Sequence, residues 1–120
     1  MKIAFTAAEP TLSAALDRRF GRAPGFLVLD TETGETAYEP NEQNLNAAQG
    51  AGIQAAQNVA STGAKAVITG HCGPKAFRIL SASNIAVYNT EAATIQDALD
   101  LFKNGQLTAA SGADVEGHWA

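Results

Sequence analysis

Soft metal-ligating side chains are scarce in this chain, whose 120 residues include one cysteine, one methionine and two histidines. A lone cysteine cannot close a disulfide within the chain, and it cannot build a zinc finger or a multi-cysteine iron-sulfur site. Neither CxxC nor HExxH occurs, so a mononuclear zinc or copper site, which wants three or four preformed ligands, lacks its donors. Long apolar runs are missing too. The opening MKIAFTAAEP holds only a short apolar stretch, below the length of a signal-peptide core or a membrane span. A soluble cytoplasmic protein with no membrane partner is expected. Basic residues are the minority, 8 Lys and Arg against 12 Asp and Glu. The resulting net charge of −4 argues against nucleic acid as a partner, because that needs a basic face. GxxxxGKS and GxGxxG are absent, which leaves nucleotide binding without specific support.

What is present suits one domain. With 46% apolar residues the chain can bury one core and is too short for two ordinary domains. We place that domain at residues 1–108 and expect 109–120, polar apart from Trp119, to be a flexible tail. KIAFT (2–6), FLVLD (26–30) and TAYEP (36–40) have strand length, and the last two flank a turn centred on Gly34, which makes a hairpin. From Gly50 the period becomes helical, with Ile53, Ala56, Val59 and Ala60 on one face and Gly63 as the stop. AVIT (66–69) reads as a buried strand, followed by a helix with Pro74 in its first turn and Asn84 at its end. IAVY (85–88) is a further strand. Ile95, Ala98, Leu99 and Phe102 stripe a last helix, with Thr94 as cap and Gly105 as terminator.

The string βββαβαβα implies a mixed sheet, since the crossovers force parallel neighbours and the hairpin is antiparallel. Helices on both faces make a three-layer α/β domain. In such sheets ligands sit beyond the carboxyl ends of the parallel strands. Three loops qualify: 7–23, 41–52 and the GHCGP turn after AVIT.

FGRAPGF (20–26), NAAQGAGIQAAQ (46–57) and the strand-GHCGPKAF-helix unit (66–80) resemble the dinitrogenase iron-molybdenum cofactor biosynthesis family, related to NifX, NafY and the C-terminal part of NifB. The resemblance covers residues 1 to about 108 and is strongest to a branch from sulfate-reducing bacteria. It implies a ribonuclease H-like fold with a mixed, mainly parallel five-stranded sheet flanked by helices. It also implies a noncovalently bound metal-sulfur cofactor: an anionic molybdenum-copper-sulfide cluster in that branch, the iron-molybdenum cofactor or a precursor in the nitrogenase relatives. Some relatives carry a histidine near the place of Gln49, and glutamine is a poor substitute as a metal ligand.

The residues can be read against those implications. A nuclease of this fold needs carboxylates converging on two magnesium ions. KIAFT has none, and Asp30 and Glu91 do not form a cluster with others on the parallel-strand loops. Cys72, just ahead of a helix and near Lys75, has the setting of a stabilised thiolate. A nucleophile also needs a base held by a third group, yet His71 is its immediate neighbour and His118 lies in the expected tail. Catalysis is therefore not expected. Cys72 reads either as a small buried thiol or as a soft neighbour of a cluster.

A prebuilt anionic cluster makes different demands, because sulfide already saturates its metals. Backbone N–H groups at Gly70, Gly73 and the following helix start, with Lys75, can meet them. Arg22, and one of Arg18 or Arg19, can lie over the same mouth, with Phe20, Phe26 and Ala7 lining it. Arg22 reads equally as a structural arginine, and Arg18 and Arg19 as solvated surface charge. His71 either donates to sulfide or coordinates copper, or satisfies the turn's own backbone. Gly50 and Gly52 in QGAG form a second backbone nest or simply let the helix start close to the sheet. The expected cofactor-binding set is Phe20, Arg22, Gly50, Gly52, Gly70, His71, Cys72, Gly73 and Lys75, with His71 as the only candidate metal ligand. The expected function is storage or carriage of such a cluster. The competing readings are a non-catalytic module binding a protein partner and a carrier of iron-molybdenum cofactor precursors.

Overall fold

The computed structural model describes residues 1–43 and 50–111, so the expectations placed on Gln49, His118 and Trp119 lie outside the described residues. The elements are β1 (Lys2–Ala7), a 3-10 turn (Phe20–Arg22), β2 (Gly25–Asp30), β3 (Thr36–Pro40), α1 (Ala51–Ser61), β4 (Ala66–Thr69), α2 (Pro74–Ala82), β5 (Ala86–Asn89) and α3 (Ile95–Lys103). The five strands are ordered β3-β2-β1-β4-β5. β2 pairs antiparallel with both β1 and β3, whereas β4 pairs parallel with β1 and β5. Four strands therefore point one way and only β2 runs back, the mixed, mainly parallel sheet of a ribonuclease H-like fold.

Period-two alternation distributes the strand side chains between two cores. Ala4, Val28, Val67 and Val87 meet Ala55, Ala56 and Val59 of α1 and Ala76 and Leu80 of α2 on one face. Ile3, Phe5, Leu27, Leu29 and Ile68 meet Ile95, Ala98 and Leu99 of α3 on the other. Burial on both faces is why KIAFT and AVIT read as unbroken apolar runs rather than alternating ones. The expected terminators act as such: Gly63, Asn84 and Gly105 have φ of +82°, +59° and +70° at the ends of α1, α2 and α3. Thr94 caps α3, its hydroxyl accepting the Asp97 N–H at 3.1 Å.

The chain runs past the expected boundary at residue 108. Ala109 bridges Tyr88, and the Ala110 N–H donates to the Val87 carbonyl at 2.7 Å. β5 is an edge strand with open backbone groups, and this short return covers part of that edge.

Because β3 runs with β1, the ends of β1, β3, β4 and β5 and the start of β2 all lie at one end of the sheet. The loops that follow β1 and β4 pair with each other. The His71 N–H donates to the Arg18 carbonyl at 2.8 Å, and the Phe20 N–H donates to the His71 carbonyl at 3.2 Å. That approach needs a glycine at 70, where a Cβ would lie 2.7 Å from the Arg18 Cα and 2.8 Å from its oxygen. Beside it, the Asp17 N–H donates to the Thr6 carbonyl at 2.9 Å, and the Thr6 hydroxyl donates back to the Asp17 carbonyl.

Gly70→Ala is expected to lower the unfolding free energy by about 1–3 kcal/mol, since the added methyl meets backbone that cannot rotate away; a urea titration checks it. A second prediction concerns Tyr38, whose hydroxyl donates to the Ala7 carbonyl at 3.1 Å and whose pKa burial raises above 10.0. A raised folded-state value means that the stabilisation is intact below the unfolded pKa and fades as pH rises through the folded one. Stability is therefore expected to fall from about pH 10 upward, and Tyr38→Phe should remove that part of the alkaline slope in chemical denaturation.

Candidate functional site

A groove of about 560 Å³ opens where three backbone segments converge: the 3-10 turn, the start of α1 and the start of α2. The turn is seated by its own sequence. Phe20 is buried and packs against Phe26, ring centroids 5.8 Å apart, which anchors the turn and leaves Arg19 and Arg22 on either side. Gly21 sits directly on α1, where a Cβ would come within 3.0 Å of both the Cα and N of Gly52. Gly52 in turn faces α2, and a Cβ there would lie 3.5 Å from that of Ala76. Two glycines thus bring a loop and two helix starts close together.

Amide side chains fasten this junction. Gln43 Nε2 donates to the carbonyls of Gly21 and Ala51, each at 3.0 Å, and so ties the turn to the first residue of α1. Asn41 Nδ2 donates to the Ala23 carbonyl at 2.8 Å, while Asn58 Nδ2 donates to Asn41 Oδ1 at 2.7 Å. Sequence reasoning misses these residues because a polar loop carries no signal of which carbonyls its amides will reach.

The electrostatics of the groove have one sign. The N-caps of α1 and α2 are Gly50 and Gly73, which have no side chain to close the first-turn N–H groups, and neither helix has an acidic residue in its first turn. α3 differs: it has the Thr94 cap, Asp97 in its first turn, and the carbonyls of Ala14 and Leu12 accepting from Ile95 and Gln96. Each open N-terminus acts as roughly half a positive charge. Arg19, Arg22 and Lys75 add formal charge, His71 stands exposed beside them, and no carboxylate lines the groove among the described residues. Ala51, Ile53, Ala76 and Phe20 give it apolar walls. Among the described residues no group of three or more His, Cys, Asp or Glu side chains converges as a bare-ion site would require.

Of the residues singled out in the sequence, Phe20, Arg22, Gly50, Gly52, His71, Gly73 and Lys75 line this one groove. Gly70 does not; it lies under Arg18 and serves the loop pairing. Cys72 does not either. In the extended segment after β4 successive side chains alternate, so His71 faces out and Cys72 faces in, 1% exposed within the α1/α2 core. Phe26 and Ala7 are likewise fully buried in core clusters rather than at the mouth. Of the two adjacent arginines Arg19 lines the groove. Ile53, expected on the buried stripe of α1, is half-buried and forms a wall, because it lies in the first turn, beyond the reach of the sheet.

Residues 1–105 match the sequence profile described as dinitrogenase iron-molybdenum cofactor. An uncharacterised protein of Methanocaldococcus jannaschii is 31% identical over 109 residues, spanning 89% of each chain. The apo form of the orange protein from Desulfovibrio gigas matches with a TM-score of 0.88 and 42% identity, covering 95% of this chain and 96% of that one. A Thermotoga protein solved by NMR and described as a candidate NifB protein matches with a TM-score of 0.80 and 31% identity, over 97% and 98% of the two chains. With the profile, the curated relative and the solved structures matching over nearly its whole length, the chain belongs to the dinitrogenase iron-molybdenum cofactor family.

Proposed function

We propose that this protein is a carrier for an anionic metal-sulfur cluster, of the molybdenum-copper-sulfide type, held noncovalently in the groove. The observation that carries this reading is the convergence of two helix N-termini, capped only by glycine, with Arg19, Arg22 and Lys75 on a groove that no described carboxylate enters. In a chain of net charge −4 such a concentration of positive potential is local and selects for an anion. The donor set supports a prebuilt cluster over a bare ion. N–H, guanidinium and ammonium groups donate hydrogen bonds to sulfide, whereas a naked cation would need carboxylate, thiolate or several imidazoles.

The walls refine the class of anion. Ile53, Ala51, Ala76 and Phe20 offer apolar surface, so a strongly hydrated oxyanion entering the groove loses water that they do not replace. A large, polarisable sulfido anion loses less and gains dispersion contacts. No group in the groove is arranged as a nucleophile and base among the described residues, and the site is read as one of retention without turnover. The choice of a molybdenum-copper-sulfide cluster over an iron-molybdenum precursor rests on what the sequence resemblance to the sulfate-reducer branch implies.

Retention of a coloured cluster tests the reading. Incubating the apo protein with tetrathiomolybdate and copper should produce an intense visible chromophore that co-elutes with the protein in gel filtration. The Arg22→Gln, Lys75→Gln double variant should retain at least several-fold less colour, and wild-type retention should weaken as salt screens the groove. Colour that elutes apart from the wild-type protein would refute the carrier reading. Separately, molybdate at equal concentration should fail to displace tetrathiomolybdate, and Ile53→Thr should narrow that preference, as read by competition in equilibrium dialysis.

A further inference from the structure

One carboxylate stands beside the groove without lining it. Asp17 and Arg19 form the one ion pair among the described residues, with Arg19 Nε 3.8 Å from Asp17 Oδ1. The two partners are unequal. The Asp17 backbone is pinned to β1 through both its N–H and its carbonyl, each bonded to Thr6, and its side chain is only 16% exposed. Its Oδ1 also accepts the Arg19 N–H at 2.9 Å, which closes an Asx turn. The Arg19 side chain is 71% exposed and lines the groove. A fixed negative group therefore stands beside an exposed positive one that has two partners within reach of its long side chain, Asp17 and whatever anion enters.

We propose that Asp17 is a built-in competitor for Arg19, holding the groove's affinity for anions below what its cations alone would give, so that a bound cluster can be released. This rests on the carrier reading. When the guanidinium turns to the anion it leaves Asp17, and the loss of that pairing opposes retention. Asp17 is thus a positioning residue, acting through Arg19 rather than by touching the cargo. A carrier must deliver as well as hold, and a long ion pair with one exposed partner has the right strength for that purpose. It is weak enough to be broken by ligand and strong enough to shift an equilibrium by a factor of a few.

The substitution Asp17→Asn isolates the effect, because asparagine keeps an oxygen for the Arg19 N–H and loses the charge. Tetrathiomolybdate binding is measured for the wild type, Asp17→Asn, Arg19→Gln and the double variant, with thermal melts confirming that each is folded. Asp17→Asn is expected to bind about two- to fivefold more tightly than the wild type. The gain should shrink to less than half in the Arg19→Gln background and narrow at high salt, since the Arg19 side chain is exposed. If Asp17→Asn does not fold, Asp17→Ser, whose hydroxyl can also accept the turn N–H, takes its place. Unchanged or weaker binding by the charge-free variant, or an equal gain without Arg19, overturns the role of Asp17 while leaving the carrier reading intact. Failure of the wild type to bind tetrathiomolybdate, alone or with copper, overturns both.

Discussion

Two backbone hydrogen bonds between the loop after β1 and the loop after β4, His71 to Arg18 and Phe20 to His71, are the constraint on which the groove depends. They fix where the 3-10 turn lies relative to the start of α2. They require glycine at position 70, because any Cβ there would overlap the Arg18 backbone. With the turn held, the burial of Phe20 against Phe26 orients it, and the contact of Gly21 with Gly52 brings the start of α1 to the same place. Gln43 then bonds across the turn and α1. Remove the loop pairing and Arg19, Arg22 and Lys75 are three separate surface charges rather than the rim of one cavity.

The three helix starts differ in how they are stabilised locally. α3 begins with the full set of local stabilisers: a threonine cap, an acidic first turn and loop carbonyls against its N–H groups. α1 and α2 begin at glycines, without an acidic first turn. A side-chain cap contributes on the order of 1 kcal/mol, and glycine recovers part of it by leaving the N–H groups to solvent or ligand. Donors left available in this way, next to formal positive charge and apolar walls, are what an anion of low hydration requires. On the carrier proposal, local rules are broken where the proposed ligand would sit.

The architecture is legible in the sequence because each element carries its own local signal. The runs KIAFT and AVIT, the turn at Gly34, the stops at Gly63, Asn84 and Gly105, and the Thr94 cap all lie where short-range chemistry puts them. The edges are less legible. The return of Ala109 and Ala110 onto β5 has no periodicity to announce it, and depends on an open strand edge that exists only once the sheet is built. The groove is legible as a set of loops and of residue types, and the kind of ligand proposed for it comes from family resemblance. Which residues of those loops face the groove is not. Cys72 and His71 are neighbours with opposite fates, and their sides are decided by the phase in which β4 leaves the sheet.

The sequence by itself thus determined the order and type of the elements, the glycine helix starts, the scarcity of cysteine, histidine and methionine, and the supply of positive side chains in the loops. These follow from composition and from interactions within a few residues. Tertiary structure alone decided that residues as far apart as Phe20, Gly52 and Lys75 share one cavity, that Cys72 belongs to the core, that Ile53 is a wall, and that Asp17 stands beside Arg19. Those outcomes come from parallel strand pairing, which joins segments distant in the chain, and from backbone contacts close enough that only glycine permits them.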